Sequence, residues 1–119
     1  MKRLFVMIAV ILSTFCFAQS GPTAADAKQL RACETAYNST KAVYLKKKDP
    51  ASKKKYVIAT VKFGTAAMMS DVLDRKLKYR KALHLYREAL KLDPKNVEAK
   101  NNSDMIVSIY KSMGRPVPQ

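Results

Sequence analysis

The segment Tyr79–Ala99, YRKALHLYREALKLDPKNVEA, constrains the fold more than any other part of the chain. Ala82, Tyr86 and Ala89 recur at intervals of four and three, which puts them on one face of a helix. Asp93-Pro94 then stops it, because the residue before a proline is driven out of the helical region. The face is built from small residues beside an aromatic ring. A second helix can approach the alanines closely while the ring fills the gap next to them. Such a helix needs a neighbour, and the rest of the chain must supply it.

The pattern supplies several candidates. Ala24 to about Lys47 carries no Gly or Pro, and Leu30, Cys33, Ala36 or Tyr37, Thr40, Tyr44 and Leu45 fall at helical spacing. This first helix ends in Lys46-Lys47-Lys48, cations at the negative end of the helix dipole, before Asp49-Pro50. Ser52 is placed to cap a second helix, Lys53 to Met69, with the apolar line Tyr56, Ala59 or Thr60, Phe63, and Ala66 or Ala67. Gly64 lies inside it. An interior glycine costs roughly 1 kcal/mol relative to alanine, and close approach of a partner helix is the reason that fits. A connection over 70–78 leads into a third helix that starts at Arg75 and runs to Leu92. Asn96 caps a fourth, Val97 to Met113, with Ala99, Ser103, Ile106, Ile109 or Tyr110, and Met113 facing inward. Gly114 supplies a left-handed stop, and the prolines of the 114–119 tail cannot continue the helix.

The expectation is therefore an all-α fold of about four antiparallel helices, divided as 24–48, 53–96 for the central pair with its connection, and 97–113. Ahead of it lie two processing segments. Met1-Lys2-Arg3 followed by an apolar run to Phe15 and a small residue at Ala18 reads as a signal peptide over 1–18, with 19–23 a short leader. An uncleaved anchor is the other reading of the same run, although it is short against the ~20 apolar residues that span a bilayer. Cleavage makes the protein exported, periplasmic or extracellular. It also leaves Cys33 as the only thiol, free either to pair between molecules or to pack as a small apolar side chain.

An internal echo is visible. Asp49-Pro50-Ala51-Ser52 and Asp93-Pro94-Lys95-Asn96 stand 44 residues apart, and in each the spacing predicts a helix ending on Asp-Pro with a polar cap two residues later. The pattern around the second copy resembles the tetratricopeptide repeat, a helix-turn-helix unit of about 34 residues. Tyr79, Ala82, Leu83, Tyr86, Ala89, Leu90, Leu92, Asp93 and Pro94 match its second helix and terminal Asp-Pro, and Phe63-Gly64 resembles its large-small pair. Gly64 and Tyr79 are 15 apart where that family has about 9, so the connection is longer than usual. Two registers are open: one sets Phe63-Gly64 at the helix contact, the other runs ungapped from Phe63 to Asn96 with Ala66, Met69, Ser70 and Leu73 at packing positions.

The resemblance implies a short solenoid, a degenerate preceding half repeat in 24–48 and a capping helix in 97–113. It further implies a non-enzymatic scaffold or adaptor whose first helices present a concave face to a partner peptide or helix. On this chain that face would include Ile58, Val61, Lys62, Thr65, Met68 and Met69, with Asn101, Asn102 and Met105 from the last helix. Met68 and Met69 are equally readable as core filler, and the asparagines as solvated surface.

Charge suggests a second class of partner. The formal charge is +14, and removing Lys2 and Arg3 leaves +12. Such a field favours anionic surfaces, and export makes nucleic acid the least expected of them. Lys46, Lys47, Lys48, Lys53, Lys54 and Lys55 flank one turn and, together with Arg75, Lys76, Lys78, Arg80 and Lys81, would form a basic end able to bind anionic lipid or polymer. Catalysis has no support in the sequence. His84 is the single histidine, the chain has only three glycines and therefore no phosphate-cradling loop, and no metal-ligand spacing or cofactor motif occurs.

Overall fold

The computed structural model describes residues 22–119, with side chains from Ala24 onward. The expected signal peptide over 1–18 lies outside the described residues, as does most of the leader. Four α-helices follow in order: α1 (Pro22–Lys47), α2 (Pro50–Met68), α3 (Arg75–Leu92) and α4 (Val97–Ser112). Each packs against the next in sequential antiparallel pairs, α1 on α2, α2 on α3 and α3 on α4. No strand occurs among the described residues, and none of their helices is long and apolar enough to cross a membrane.

α2 sits between α1 and α3, so two of its faces are covered. Tyr56, Ala59, Thr60, Phe63 and Ala67 are buried, and so are Val57, Val61 and Met68. Against α1 the contact is a set of aromatic rungs. Tyr44 stacks on Tyr56 at 5.6 Å between ring centroids, and Tyr37 lies 5.4 Å from Phe63 and 6.0 Å from Tyr56. Of the expected inward line on α1, Leu30, Cys33, Tyr37, Thr40 and Tyr44 are half-buried, whereas Ala36 and Leu45 face solvent.

Against α3 the contact is the one that Gly64 makes possible. A methyl group added there would lie 3.0, 3.2 and 3.3 Å from three ring atoms of Tyr86, so the ring occupies the space a side chain would need. Ala82 and Ala89, one turn to either side of that tyrosine, are fully buried. Of the two registers open from sequence, the one that sets Phe63-Gly64 at the helix contact describes this packing.

The ends of the helices depart from the sequence expectation in ways that local chemistry explains. α2 begins one turn earlier than Lys53, because Asp49 rather than Ser52 is its cap: the Ser52 amide donates to Asp49 Oδ1 at 2.7 Å. Pro50 then takes the first helical position, where its missing N–H costs nothing. α1 closes on Lys48, whose φ of 49° is left-handed. At the second Asp-Pro the roles differ. Asp93 is the C-cap of α3, and Asn96 caps α4 by accepting from the Ala99 amide at 3.0 Å. The two Asp-Pro sites therefore look alike in sequence and do different work.

α3 starts at Arg75 and ends at Leu92 as expected, so the α2–α3 connection spans 69–74, and Arg75 to Lys78, which the 70–78 bounds counted with it, are helical. It is pinned from outside. The buried Ser70 hydroxyl donates to Asp26 of α1 at 2.8 Å, and the amides of Asp71 and Val72 donate to the same carboxylate oxygen. Ser70 Oγ in turn accepts from the amides of Val72 and Leu73. One α1 carboxylate thus ties down the loop, replacing water at the exposed amides of Asp71 and Val72 and pairing the buried Ser70 hydroxyl.

At the far end α4 stops at Ser112. Met113, expected inside, is its exposed C-cap, and Gly114 follows with φ of 63°. The tail then folds back: Val117 packs on the core, and Arg87 donates to the Pro118 carbonyl at 2.6 Å.

Candidate functional site

Three helices converge on one shallow depression of about 340 Å³. α1 contributes Asp26, Gln29 and Cys33, α2 contributes Lys62, Thr65 and Ala66 together with its C-cap Met69, and α4 contributes Glu98. The spacing accounts for the convergence. Asp26, Gln29 and Cys33 stand at i, i+3 and i+7 on α1, and Lys62, Thr65 and Met69 at the same offsets along α2. Met69 of this lining is 69% exposed, and Met105, 45% exposed, stands two turns beyond Glu98 on α4, outside the lining.

Thr65 and Glu98 of this lining belong to a hydrogen-bonded chain that joins α2, α3 and α4. Asn102 donates to the Tyr86 hydroxyl at 3.1 Å, that hydroxyl lies 2.8 Å from Thr65 Oγ1, and Thr65 donates to Glu98 at 3.0 Å. Burial raises the Tyr86 pKa above that of a free tyrosine, so the phenol stays protonated as a bridge. Three helices are tied here through one phenol.

The residues expected on this face therefore divide. Lys62, Thr65 and Met69 line the depression, and Asn101 and Met105 are exposed on α4. Val61 and Met68 do not belong to it. They are buried at 5% and 9% exposure, since α2 is covered on two sides and both residues turn into the core. Asn102 is committed to Tyr86 and not left free to meet an extended backbone. Ile58 is exposed but lines a separate depression with Pro50, Lys53, Lys54 and Leu92 at the other end of α2. Asp26, Gln29, Cys33 and Glu98 were not anticipated. The helical offsets on α1 were legible, but nothing in the sequence showed that α1 would reach the same face as α4.

The basic end divides too. Lys46 to Lys48 and Lys53 to Lys55 are exposed around the α1–α2 turn, as expected. Arg75, Lys76 and Lys78 lie toward the opposite end, because α3 runs antiparallel to a 19-residue α2 that is about 28 Å long at the helical rise, while Lys81 stands partway back, 4.8 Å from the Phe63 ring. The expected single patch is two.

A second polar cluster, also unanticipated, joins α1, α2 and α3. The Glu88 carboxylate of α3 accepts from Tyr56 of α2, lies 2.9 and 2.8 Å from the Tyr37 hydroxyl, and meets Lys41 Nζ at 3.4 Å. Burial works against the charged carboxylate, but the hydrogen bonds from Tyr56 and Tyr37 and the charge of Lys41 outweigh it and lower its pKa. Burial and the adjacent carboxylate push both tyrosines up. The Tyr37 hydrogen bond raises Lys41.

His84 is exposed on α3. Among the described residues no group of three His, Cys, Asp or Glu side chains is arranged to hold a metal ion. Comparison of the chain with protein-family models, with curated proteins and with solved structures finds no match.

Proposed function

We propose that this protein is a short tetratricopeptide-type interaction module, exported and non-enzymatic, that receives a partner peptide or helix on the face shared by α1, α2 and α4. The observation that carries the reading is the depression bordered by Met69, with Lys62 and Thr65 on its α2 wall. The packing of Tyr86 on Gly64, framed by Ala82 and Ala89, is the kind of contact by which such repeats pair their two helices. It supports the same reading.

The partner contributes apolar side chains to Met69 and Met105, and polar groups to Lys62, Gln29 and Glu98. Contact area of this size gives modest affinity unless a few side chains dominate, which makes Met69 the informative position. With residues 19–119 as bait in an envelope extract, Met69→Glu is expected to reduce capture of the bound protein by roughly tenfold or more, equivalent to about 1.4 kcal/mol. Its melting temperature should stay close to wild type, since exposed substitutions usually fall within about 0.5 kcal/mol. The reading fails if wild type and Met69→Glu/Lys62→Glu recover the same proteins in the same amounts.

A further inference from the structure

The outer face of α3 and the returning tail enclose a pair of depressions distinct from the α1/α2/α4 face. One is lined by Leu73 of the α2–α3 connection and by Leu77, Arg80, Lys81, Leu83, His84 and Arg87 on α3, with Pro118 and Gln119 across from them. The other shares Leu77, Arg80 and Pro118 and continues to Tyr110, Arg115 and Val117. Each has a volume of about 670 Å³, inside the range of roughly 300–1,000 Å³ typical of small-molecule sites.

Their chemistry is consistent along both halves. The floor is apolar, and Leu77 is 58% exposed at its centre. The rim is cationic: Arg80, Lys81, Arg87, Lys76 and Arg115 border the two hollows, against the single carboxylate side chain of Asp74. Among the described residues none of these five cations forms a salt bridge. Lys81 already stands over the Phe63 ring at 4.8 Å and Arg87 donates to Pro118, but an excess of cations around an apolar floor still repels itself, and an anion placed between them relieves that repulsion.

We propose that this cleft binds a single-chain anionic amphiphile, an alkyl chain ending in a phosphate or carboxylate, with the chain along Leu73, Leu77 and Leu83 and the headgroup at Arg80. An inorganic anion would leave the leucine floor wet. A peptide brings as many amide donors as carbonyl acceptors, and a cationic rim whose Pro118 carbonyl already accepts from Arg87 at 2.6 Å meets only the acceptors. A planar bilayer would meet the rim and the exposed Leu77 but not Leu83, which is only 1% exposed at the bottom of the hollow. A headgroup that only accepts, on one flexible chain, satisfies both surfaces.

The test titrates the full chain with decyl phosphate below its micelle concentration and follows heat and backbone amide shifts. The expected result is one site per chain with shifts centred on Leu77 to Arg87, and binding at least roughly tenfold weaker for inorganic phosphate and for decyl maltoside, the neutral amphiphile of equal chain length. Leu77→Asn and Arg80→Gln, both at exposed positions, should each weaken binding about tenfold, while Lys53→Glu/Lys54→Glu/Lys55→Glu leaves it unchanged. The proposal is overturned if decyl maltoside binds as tightly as decyl phosphate, or if the triple lysine reversal abolishes binding and the Leu77 and Arg80 variants do not. Binding to phosphate-bearing vesicles without binding to monomeric decyl phosphate overturns it equally, since the surface would then be a membrane contact.

Discussion

Tyr86→Ala is expected to lower the melting temperature by on the order of 20 °C and to leave much of the population unfolded in mild denaturant. The side chain is fully buried, its ring lies flat against Gly64, and its hydroxyl joins Thr65 and Asn102. Truncating a buried aromatic costs about 3–5 kcal/mol, out of a total of about 5–15 kcal/mol for an ordinary domain. Each kcal/mol moves the midpoint by about 4–8 °C at this size. Tyr86→Phe keeps the ring and loses only the bridge, for about 1 kcal/mol. Circular dichroism melts separate the two. An alanine variant that melts within a few degrees of wild type would mean that this contact does not hold α2 on α3.

The same contact decides the sign of a change at Gly64. Alanine would add about 1 kcal/mol of helix propensity, but its methyl meets three atoms of a ring that is fully buried and tied at its hydroxyl. A flexible side-chain tip could move aside, and this ring has no free end to move. The overpacking cost of about 1–3 kcal/mol therefore offsets or exceeds the gain.

How much of this was legible in the sequence follows from the range of each interaction. The α2–α3 pairing was legible because Gly64, Ala82, Tyr86 and Ala89 carry its geometry in their own sizes. The existence of four helices was legible from periodicity. Cap assignments failed at Ser52 because Asp49-Pro50 is written the same way whether the aspartate ends one helix or starts the next, and the left-handed Lys48 settles it only in space. Val61 left the expected face, and Met68 took the core position that was its other reading, for a related reason. Periodicity says that one face of α2 is covered, but not that α1 covers a second. The divided basic end follows from the antiparallel direction of α3, which charge counting does not contain. The Glu88 cluster was beyond reach, since Tyr37, Tyr56 and Glu88 lie tens of residues apart and an isolated glutamate on a helix reads as surface.

That cluster yields the remaining large effect. Glu88→Ala strips the shared acceptor from Tyr37 and Tyr56 and the counter-charge from Lys41, in a setting where Glu88 is only 19% exposed and Lys41 is 41% exposed. The exposed lysine contributes little, because solvent screens it. The two tyrosine hydrogen bonds to a charged acceptor dominate, and the expected loss is about 2 kcal/mol. Glu88→Gln keeps an acceptor and costs less, which makes it the better probe of pH. The folded-state pKa of Glu88 is lowered from 4.5, so its contribution is fully present above the unfolded value and disappears as pH falls through the lower, folded one. The pKa values of Tyr37 and Tyr56 are raised from 10.0, so theirs is fully present below that value and is lost as pH rises toward the higher, folded one. Urea midpoints of wild type and Glu88→Gln should therefore differ most between about pH 5 and pH 10 and converge on both sides. A difference that stays constant down to about pH 2 would show that the Glu88 charge is not what holds α1 and α2 to α3 at this point.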